Sequence, residues 1–401
     1  MSTLAAPVIQ PSAAAGSAVL GTYRPAAPLF VRADGVRVHD DAGRTYLDFV
    51  SGIGVNALGY GDAGVRAAIE QALSSGLIHL SNLYRTEPAV ALAQMLVDAS
   101  FADRVFFCNS GAEANEAAFK FARRWARTRG GEAKHEIVAL RNSFHGRLFG
   151  ALAATDRPAM QAPFTPLMPG VRFVDPDDAA SLDAALDPAR TAAIIAEPVQ
   201  GEGGVQPLSP AVLARLRAAA DANDALLIFD EVQCGLGRTG HLFAYQAYGV
   251  VPDMLTLAKP LAGGLPMGAT LLNARVAETI QPGDHATTFG GGPLVASVAA
   301  TVLARIADPA FLLRVRELGE YLHARLHELA AGCASVVDVR GSGLMWGLVL
   351  NVPAAPVAAA ALERGLLVAT AGERVVRLLP PLVIGESDID EAIAVLGEVL
   401  A

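Results

Sequence analysis

With 401 residues, 52% of them hydrophobic and 18% charged, the chain has a globular composition and exceeds one ordinary domain. A net charge of -9 argues against a nucleic-acid partner, because phosphate contacts need clustered Lys and Arg. Three widely spaced cysteines, Cys108, Cys234 and Cys333, show neither CxxC nor metal spacing and read as reduced thiols of a cytoplasmic protein that holds no metal.

Residues 1–25 are rich in Ala and Pro, which predicts a loosely held arm. No basic residues precede its apolar run, and Pro7 and Pro11 interrupt it, so a signal peptide is not expected. The chain has no uninterrupted apolar run of about 18 residues, so a membrane span is not expected either. The stretch 36–52 alternates apolar and polar residues around Asp40–Gly43 and predicts a β-hairpin. Residues 63–76 have helical spacing, 104–111 read as a strand entering a turn, and 112–128 as a helix. Short buried strands are predicted at 135–140, 191–198, 226–231, 253–259 and 268–273, with a helix at 209–222. The alternation implies α/β with a mostly parallel sheet flanked by helices. From 293 onward the pattern is helical, then strand-like near 336–350 and 375–384. A last helix follows, with Ser387 as a possible N-cap. We expect a large domain over 61–293 and a smaller α+β domain formed by 26–60 with 294–401.

Of the 31 Lys and Arg, only Lys120, Lys134 and Lys259 are lysines. Arginine can replace lysine for charge but not where a neutral amine must attack a carbonyl. Lys120 and Lys134 stand among charged residues and read as solvated surface. Lys259 stands in LTLAKPLAGG, between an apolar run and glycines, and is a candidate for chemistry. In CNSGAEANE, the small residues Ser110, Gly111 and Ala112 open a predicted helix, where free N–H groups attract an anion. The same residues also fit an ordinary N-cap with a glycine turn. In LLIFDEVQCGLGRTG, a buried strand ends in Asp230 and Glu231, and a carboxylate there needs a partner. A protonated pyridine nitrogen would serve, as would a salt bridge or helix cap, and a metal is a weaker rival. Ser110–Ala112, Asp230 and Lys259 all fall at strand C-terminal ends, where open α/β sheets bind ligands. A phosphate cradle, an acid for a ring nitrogen and a Schiff-base lysine are what pyridoxal phosphate requires. NSFHGR offers Phe144 for ring stacking and Arg147 for a carboxylate. Core packing and a surface ion pair are their plain alternatives, and His145 reads as structural. Glu202, Arg377, Thr287 and Thr288 complete the candidates, although the sequence does not show whether Glu202 and Arg377 meet.

These motifs resemble the class III aminotransferases of the fold-type I pyridoxal-phosphate group, and most of all those acting on acetylornithine. The resemblance runs from about residue 25 to the end. It rests on GVRVHDDAGRTYLDFVSGIGV, FFCNSGAEANEAAFKFAR, NSFHGR, EPVQGEGGV, LLIFDEVQCGLGRTG, VPDMLTLAKPLAGGLPMGA, TTFGGGPL and RLLPPLVI, in the family's order. It implies that Lys259 bonds the cofactor and shuttles a proton, and that Asp230 keeps the pyridine nitrogen protonated. Gly111 and Ala112 would bind the phosphate, Phe144 and Val232 would cover the ring faces, and Gln233 would bond the phenolic oxygen. Thr288 would reach a phosphate across the interface of a homodimer with shared active sites. Arg147 would hold the substrate α-carboxylate with Thr287 nearby, and Glu202 would mask Arg377 until a 2-oxo diacid arrives. The implied reaction is ping-pong transfer of the δ-amino group of N2-acetyl-L-ornithine to 2-oxoglutarate, a step of arginine biosynthesis. Ornithine, succinylornithine or 4-aminobutyrate are alternative donors; an aminomutase and a non-catalytic cofactor-binding module are more distant readings. Departures from the family pattern are YGDAG after LDFVSGIGVNALG, Ala112 where threonine is frequent, KPLAGG, and TFGGGPL. None removes a catalytic group.

Overall fold

The computed structural model describes residues 18–401; residues 1–17 of the expected arm lie outside the described residues. Residues 18–25 form no helix or strand and are exposed.

A seven-stranded sheet organises the larger part of the chain. Its spatial order is Arg104–Cys108, Gly268–Leu272, Met254–Leu257, Leu226–Asp230, Thr191–Ala196, Glu136–Leu140, Val171–Val174. Gly268–Leu272 runs antiparallel to both of its neighbours. The other pairings are parallel. The central strands TAAIIA and LLIFD are buried along their whole length, as expected of a sheet covered on both faces. The helix Gly111–Gly130 buries Ala114, Ala117, Ala118, Phe121, Ala122 and Trp125, a three-and-four spacing on one face. Alanine there lets the helix sit close to the sheet, and Trp125 fills the far end. Truncating a fully buried residue of that size costs about 3–5 kcal/mol.

The predicted hairpin is present as Arg37–Asp40 paired with Thr45–Asp48, turning through Gly43 at φ 82. An unforeseen strand, Phe30–Asp34, adds to its edge; its residues are mostly exposed, so it lacks a clear apolar alternation. Leu366–Leu367 pairs in parallel with Thr45–Asp48, joining the N-terminal strands to the C-terminal segment. A second antiparallel sheet runs Val336–Ser342, Met345–Leu350, Val375–Leu378, Ala369–Thr370.

Three expectations need correction. The strand expected to reach residue 384 stops at Leu378, because Pro380 and Pro381 have no N–H to donate to a ladder. The last helix, Glu386–Leu400, is capped at Gly385, whose N–H donates to Asp388, and Ser387 lies inside its first turn. Lys134 is buried, its amine donating to the carbonyls of Pro188 and Asn223 at 2.5 and 3.2 Å. Its stem passes through the interior to reach those carbonyls. Lys120 is exposed, as expected.

Candidate active site

The C-terminal ends of the parallel strands open on a cavity of about 440 Å³ lined by Ser110, Asp230 and Lys259 among others. Arg104–Cys108 leads into Ser110, Glu136–Leu140 into Phe144, and Thr191–Ala196 into Glu197. Leu226–Asp230 ends on Asp230, and Met254–Leu257 leads into Lys259. Chain topology thus gathers residues 110 to 259 at one sheet edge.

At one wall the helix Gly111–Gly130 begins. The Ser110 hydroxyl accepts the Glu113 N–H at 3.2 Å, and the Ser110 carbonyl accepts that of Ala114 at 3.0 Å. Those two bonds leave the Gly111 and Ala112 N–H groups without helical acceptors at the positive end of the dipole. A side chain at Gly111 would place its Cβ 2.6 Å from Val232 Cγ1, so the helix start approaches the wall only because residue 111 is glycine. Ser110 is therefore the N-cap that one sequence reading proposed, and it also borders an anion-sized donor pair.

Asp230 is 4% exposed and held from three sides. Asn115 Nδ2 donates to its Oδ2 at 2.7 Å, His145 Nδ1 lies 2.8 Å from the same oxygen, and the Val232 N–H donates to Oδ1 at 3.0 Å. Asn115 is itself oriented, accepting from the Thr256 hydroxyl at 2.8 Å and donating to the His145 carbonyl at 2.8 Å. Glu231 turns away to accept the N–H groups of Ala244 and Tyr245, and burial pushes its carboxyl up to about 8. Of the two adjacent carboxylates, one faces the cavity and the other holds a turn.

Lys259 is half-buried. Burial first, and the positive charge of Arg377 second, push its amine down to about 8, which leaves a reactive neutral fraction near physiological pH. Arg377 is 2% exposed, and its Nη1 donates to Glu202 Oε1 at 2.6 Å and to Gln233 Oε1 at 3.3 Å. Glu202 and Gln233 both line the cavity. The separated pair therefore meets beside the lysine. Phe144 and Val232 line the cavity as well, and exposed Arg147 sits 5.8 Å from the Phe144 ring. Thr287 and Thr288 do not enter the cavity of their own chain. They line a separate surface depression with His79 and Asn82, where the Asn82 amide donates to the Thr287 carbonyl at 2.9 Å.

Three site residues escaped the sequence reading. Asn115 lies inside a helix and carried no signal, and His145 was read as structural. Glu197, 5% exposed, lines the cavity and accepts the Phe144 N–H at 2.9 Å. A signal for it existed: like Asp230, it is a carboxylate closing a buried, mostly apolar strand.

An anion cradle of free N–H groups, an oriented buried carboxylate, a lysine with a depressed pKa and apolar walls fit the phosphate, ring nitrogen, aldehyde and ring faces of pyridoxal phosphate. Fold and site together define a fold-type I pyridoxal-phosphate transferase. The chain belongs to the class III aminotransferases, whose family profile (Aminotransferase class-III) matches residues 22–400. It is therefore a pyridoxal-phosphate-dependent transaminase. It is 48% identical over 392 residues to the mitochondrial acetylornithine aminotransferase of Alnus glutinosa, covering 96% of this chain and 86% of that protein. It is 45% identical over 390 residues to the succinylornithine transaminase of Yersinia enterocolitica, covering 94% of each. The solved N-acetylornithine aminotransferase of Stenotrophomonas maltophilia superposes with a TM-score of 0.82 at 38% identity, over 94% of this chain and 96% of that one.

Proposed function

We propose that this chain transfers the δ-amino group of N2-acetyl-L-ornithine to 2-oxoglutarate, giving N-acetyl-L-glutamate 5-semialdehyde and L-glutamate, as in arginine biosynthesis. The observation that carries the reading is the 2.6 Å bond from buried Arg377 to Glu202, which lines the cavity that holds Lys259. One pocket must accept an ω-amine whose reacting end carries no carboxylate, and then a diacid whose reacting end does. A masked arginine that can be unmasked meets both demands. The names of the relatives, acetylornithine aminotransferases among them, point to the same donor.

Pyridoxal phosphate, when bound, supplies a carbonyl that takes up the amino group and a ring that withdraws electrons from the reacting carbon. Lys259 provides the amine that holds the cofactor and, once released, carries a proton to and from the amino-bearing carbon of the substrate. Asp230, fixed by Asn115 and His145, keeps the pyridine nitrogen protonated. Ser110, Gly111 and Ala112 receive the phosphate at the helix start. Phe144 and Val232 would flank the ring and exclude water, and Gln233 would donate to the phenolic oxygen. Arg147 binds the donor's α-carboxylate with the partner's Thr287 nearby, while Glu202 neutralises Arg377. When the 2-oxo diacid enters, Glu202 swings aside and Arg377 binds its carboxylate.

A homodimer with shared sites belongs to this proposal. Thr287 and Thr288 lie outside their own cavity beside exposed Leu83 and Phe289, a placement that suits delivery of Thr288 to a partner's phosphate. The division into a cofactor-binding unit over 61–293 and a small unit over 26–60 with 294–401 is supported by the strand pairing of Thr45–Asp48 with Leu366–Leu367. A cytoplasmic location is part of the same reading and accords with three free cysteines.

Initial rates over a grid of donor and 2-oxoglutarate concentrations test the proposal. Parallel reciprocal plots are expected, with kcat/KM for N-acetylornithine at least tenfold above that for succinylornithine, ornithine or 4-aminobutyrate. If another donor wins, the pathway assignment falls; turnover without a 2-oxo acid would move the chain to the mutases.

A further inference from the structure

Glu197 lines the cavity but has no part in the mechanism above. It follows directly on the buried strand Thr191–Ala196, and its two carboxylate oxygens serve different segments. Oε1 accepts the Phe144 N–H at 2.9 Å and Oε2 accepts the Gly201 N–H at 3.3 Å. Phe144 begins the loop that reaches Arg147, and Gly201 immediately precedes Glu202. The backbone after Gly201 is also held: Arg157 donates to the Glu202 carbonyl at 2.8 Å and Arg340 to the Gly204 carbonyl at 2.8 Å. With its backbone fixed at these points, Glu202 releases Arg377 by turning its side chain while the loop stays in place. The quality of masking then depends on where that backbone is held.

We infer that Glu197 is a positioning residue, whose buried carboxylate ties the Phe144–Arg147 loop to the backbone of Glu202 so that the donor-carboxylate contact and the arginine mask keep one register. The inference rests on the proposed masking of Arg377 and extends it to a group that touches neither mask nor substrate.

The tie is sensitive to protonation. Burial pushes Glu197 up to about 7; the charge of His145 and the two N–H bonds oppose the rise, and Asp230 adds to it. The groups facing it are His145 from the Phe144 loop, Asp230 from the neighbouring strand end, Lys259, and the thiol of Cys234, itself held well above its ordinary value by burial. A protonated carboxyl turns one of its two acceptor oxygens toward donating, so it cannot serve both N–H groups equally. The longer bond, to Gly201, is the one that yields. Below pH 7 the masked state should therefore be less well held, and a donor carrying a carboxylate beside its reacting amine should gain relative to one that does not.

The test compares single-turnover kcat/KM for N-acetylornithine and for glutamate on the cofactor-loaded protein from pH 6 to pH 9. Their ratio cancels ionisations common to both reactions, Lys259 included. In the wild type the ratio should rise about tenfold through one ionisation near pH 7 (the effect of one lost charge-assisted bond). Glu197→Gln replaces one acceptor by a donor, so its ratio should stay at the low-pH value throughout. A Glu197→Gln ratio that matches the wild type at pH 9 overturns the inference; if Glu197→Gln does not fold, Glu197→Asp, which keeps the charge on a side chain one methylene shorter, is read in the same way. If N-acetylornithine is not the preferred donor, the function reading falls separately, and the same ratio is taken with the donor that wins.

Discussion

Arg377 Nη1 lies 2.6 Å from Glu202 Oε1 although 175 positions separate the two residues. The arginine comes from the antiparallel sheet of the C-terminal segment and is 2% exposed; the glutamate comes from the turn after Val199–Gln200 and is 30% exposed. The more accessible partner is the one free to move. The buried Nε of Arg377 has no partner among the described residues, so the guanidinium keeps donors in reserve for an incoming carboxylate.

Removing the mask should relax the donor choice. In Glu202→Ala, Arg377 is exposed to every ligand, and discrimination between N-acetylornithine and glutamate in the first half-reaction should fall about 10- to 100-fold, or about 1.4–2.8 kcal/mol. Stopped-flow half-reactions with each donor measure it. Unchanged discrimination would mean that the pair is only structural.

Gly111→Ala addresses the cradle. Its new Cβ would meet Val232 Cγ1 at 2.6 Å, forcing the helix start or Val232 to move, at a cost of about 1–3 kcal/mol. Affinity for pyridoxal phosphate should drop about 10- to 100-fold in a titration of the apoprotein. Pyridoxal without its phosphate should lose less.

Lys259 gives a pH signature. Its folded pKa, about 8, lies below the ordinary 10.5, so between these values the unfolded chain binds more protons than the folded one. The stability of the apoprotein should therefore rise with pH across that window. Lys259→Met should be the more stable form at pH 7, and its advantage should shrink as pH climbs from about 8 to 10.5. Calorimetry at several pH values checks the sign. An advantage that grows with pH would contradict an amine held below its ordinary value.

How much of the site was legible turns on distance along the chain. Lys259 stood out because so few lysines remain, and Asp230 because a carboxylate closed an apolar strand. The meeting of Glu202 with Arg377 had no local signal, since it depends on how two sheets pack. Glu197 bore the same mark as Asp230, a carboxylate ending an apolar strand, and could have been found by it. Lys134 was misread because its neighbours in sequence are charged while its neighbours in space are the carbonyls of Pro188 and Asn223. The helices named at 63–76, 112–128 and 209–222 and the central buried strands followed from periodicity, whereas the helix Glu87–Asp98, the sheet-edge strand Val171–Val174 and the exposed Phe30–Asp34 strand did not.

Lys134 supplies a control. It sits just before Glu136–Leu140, at the sheet edge opposite the cavity. Lys134→Ala leaves two interior carbonyls short of a donor and should destabilise the fold by about 1–3 kcal/mol. Thermal melts should show that loss while kcat/KM stays within about twofold of wild type.

The most direct test of the account is the visible absorbance of the lysine-bound cofactor during a single half-reaction. With N-acetylornithine alone the band should bleach faster than with ornithine, succinylornithine or 4-aminobutyrate, 2-oxoglutarate should restore it, and Lys259→Ala should show neither band nor turnover. Bleaching by another donor in preference would contradict the assigned substrate, and wild-type turnover by Lys259→Ala would contradict the chemistry itself.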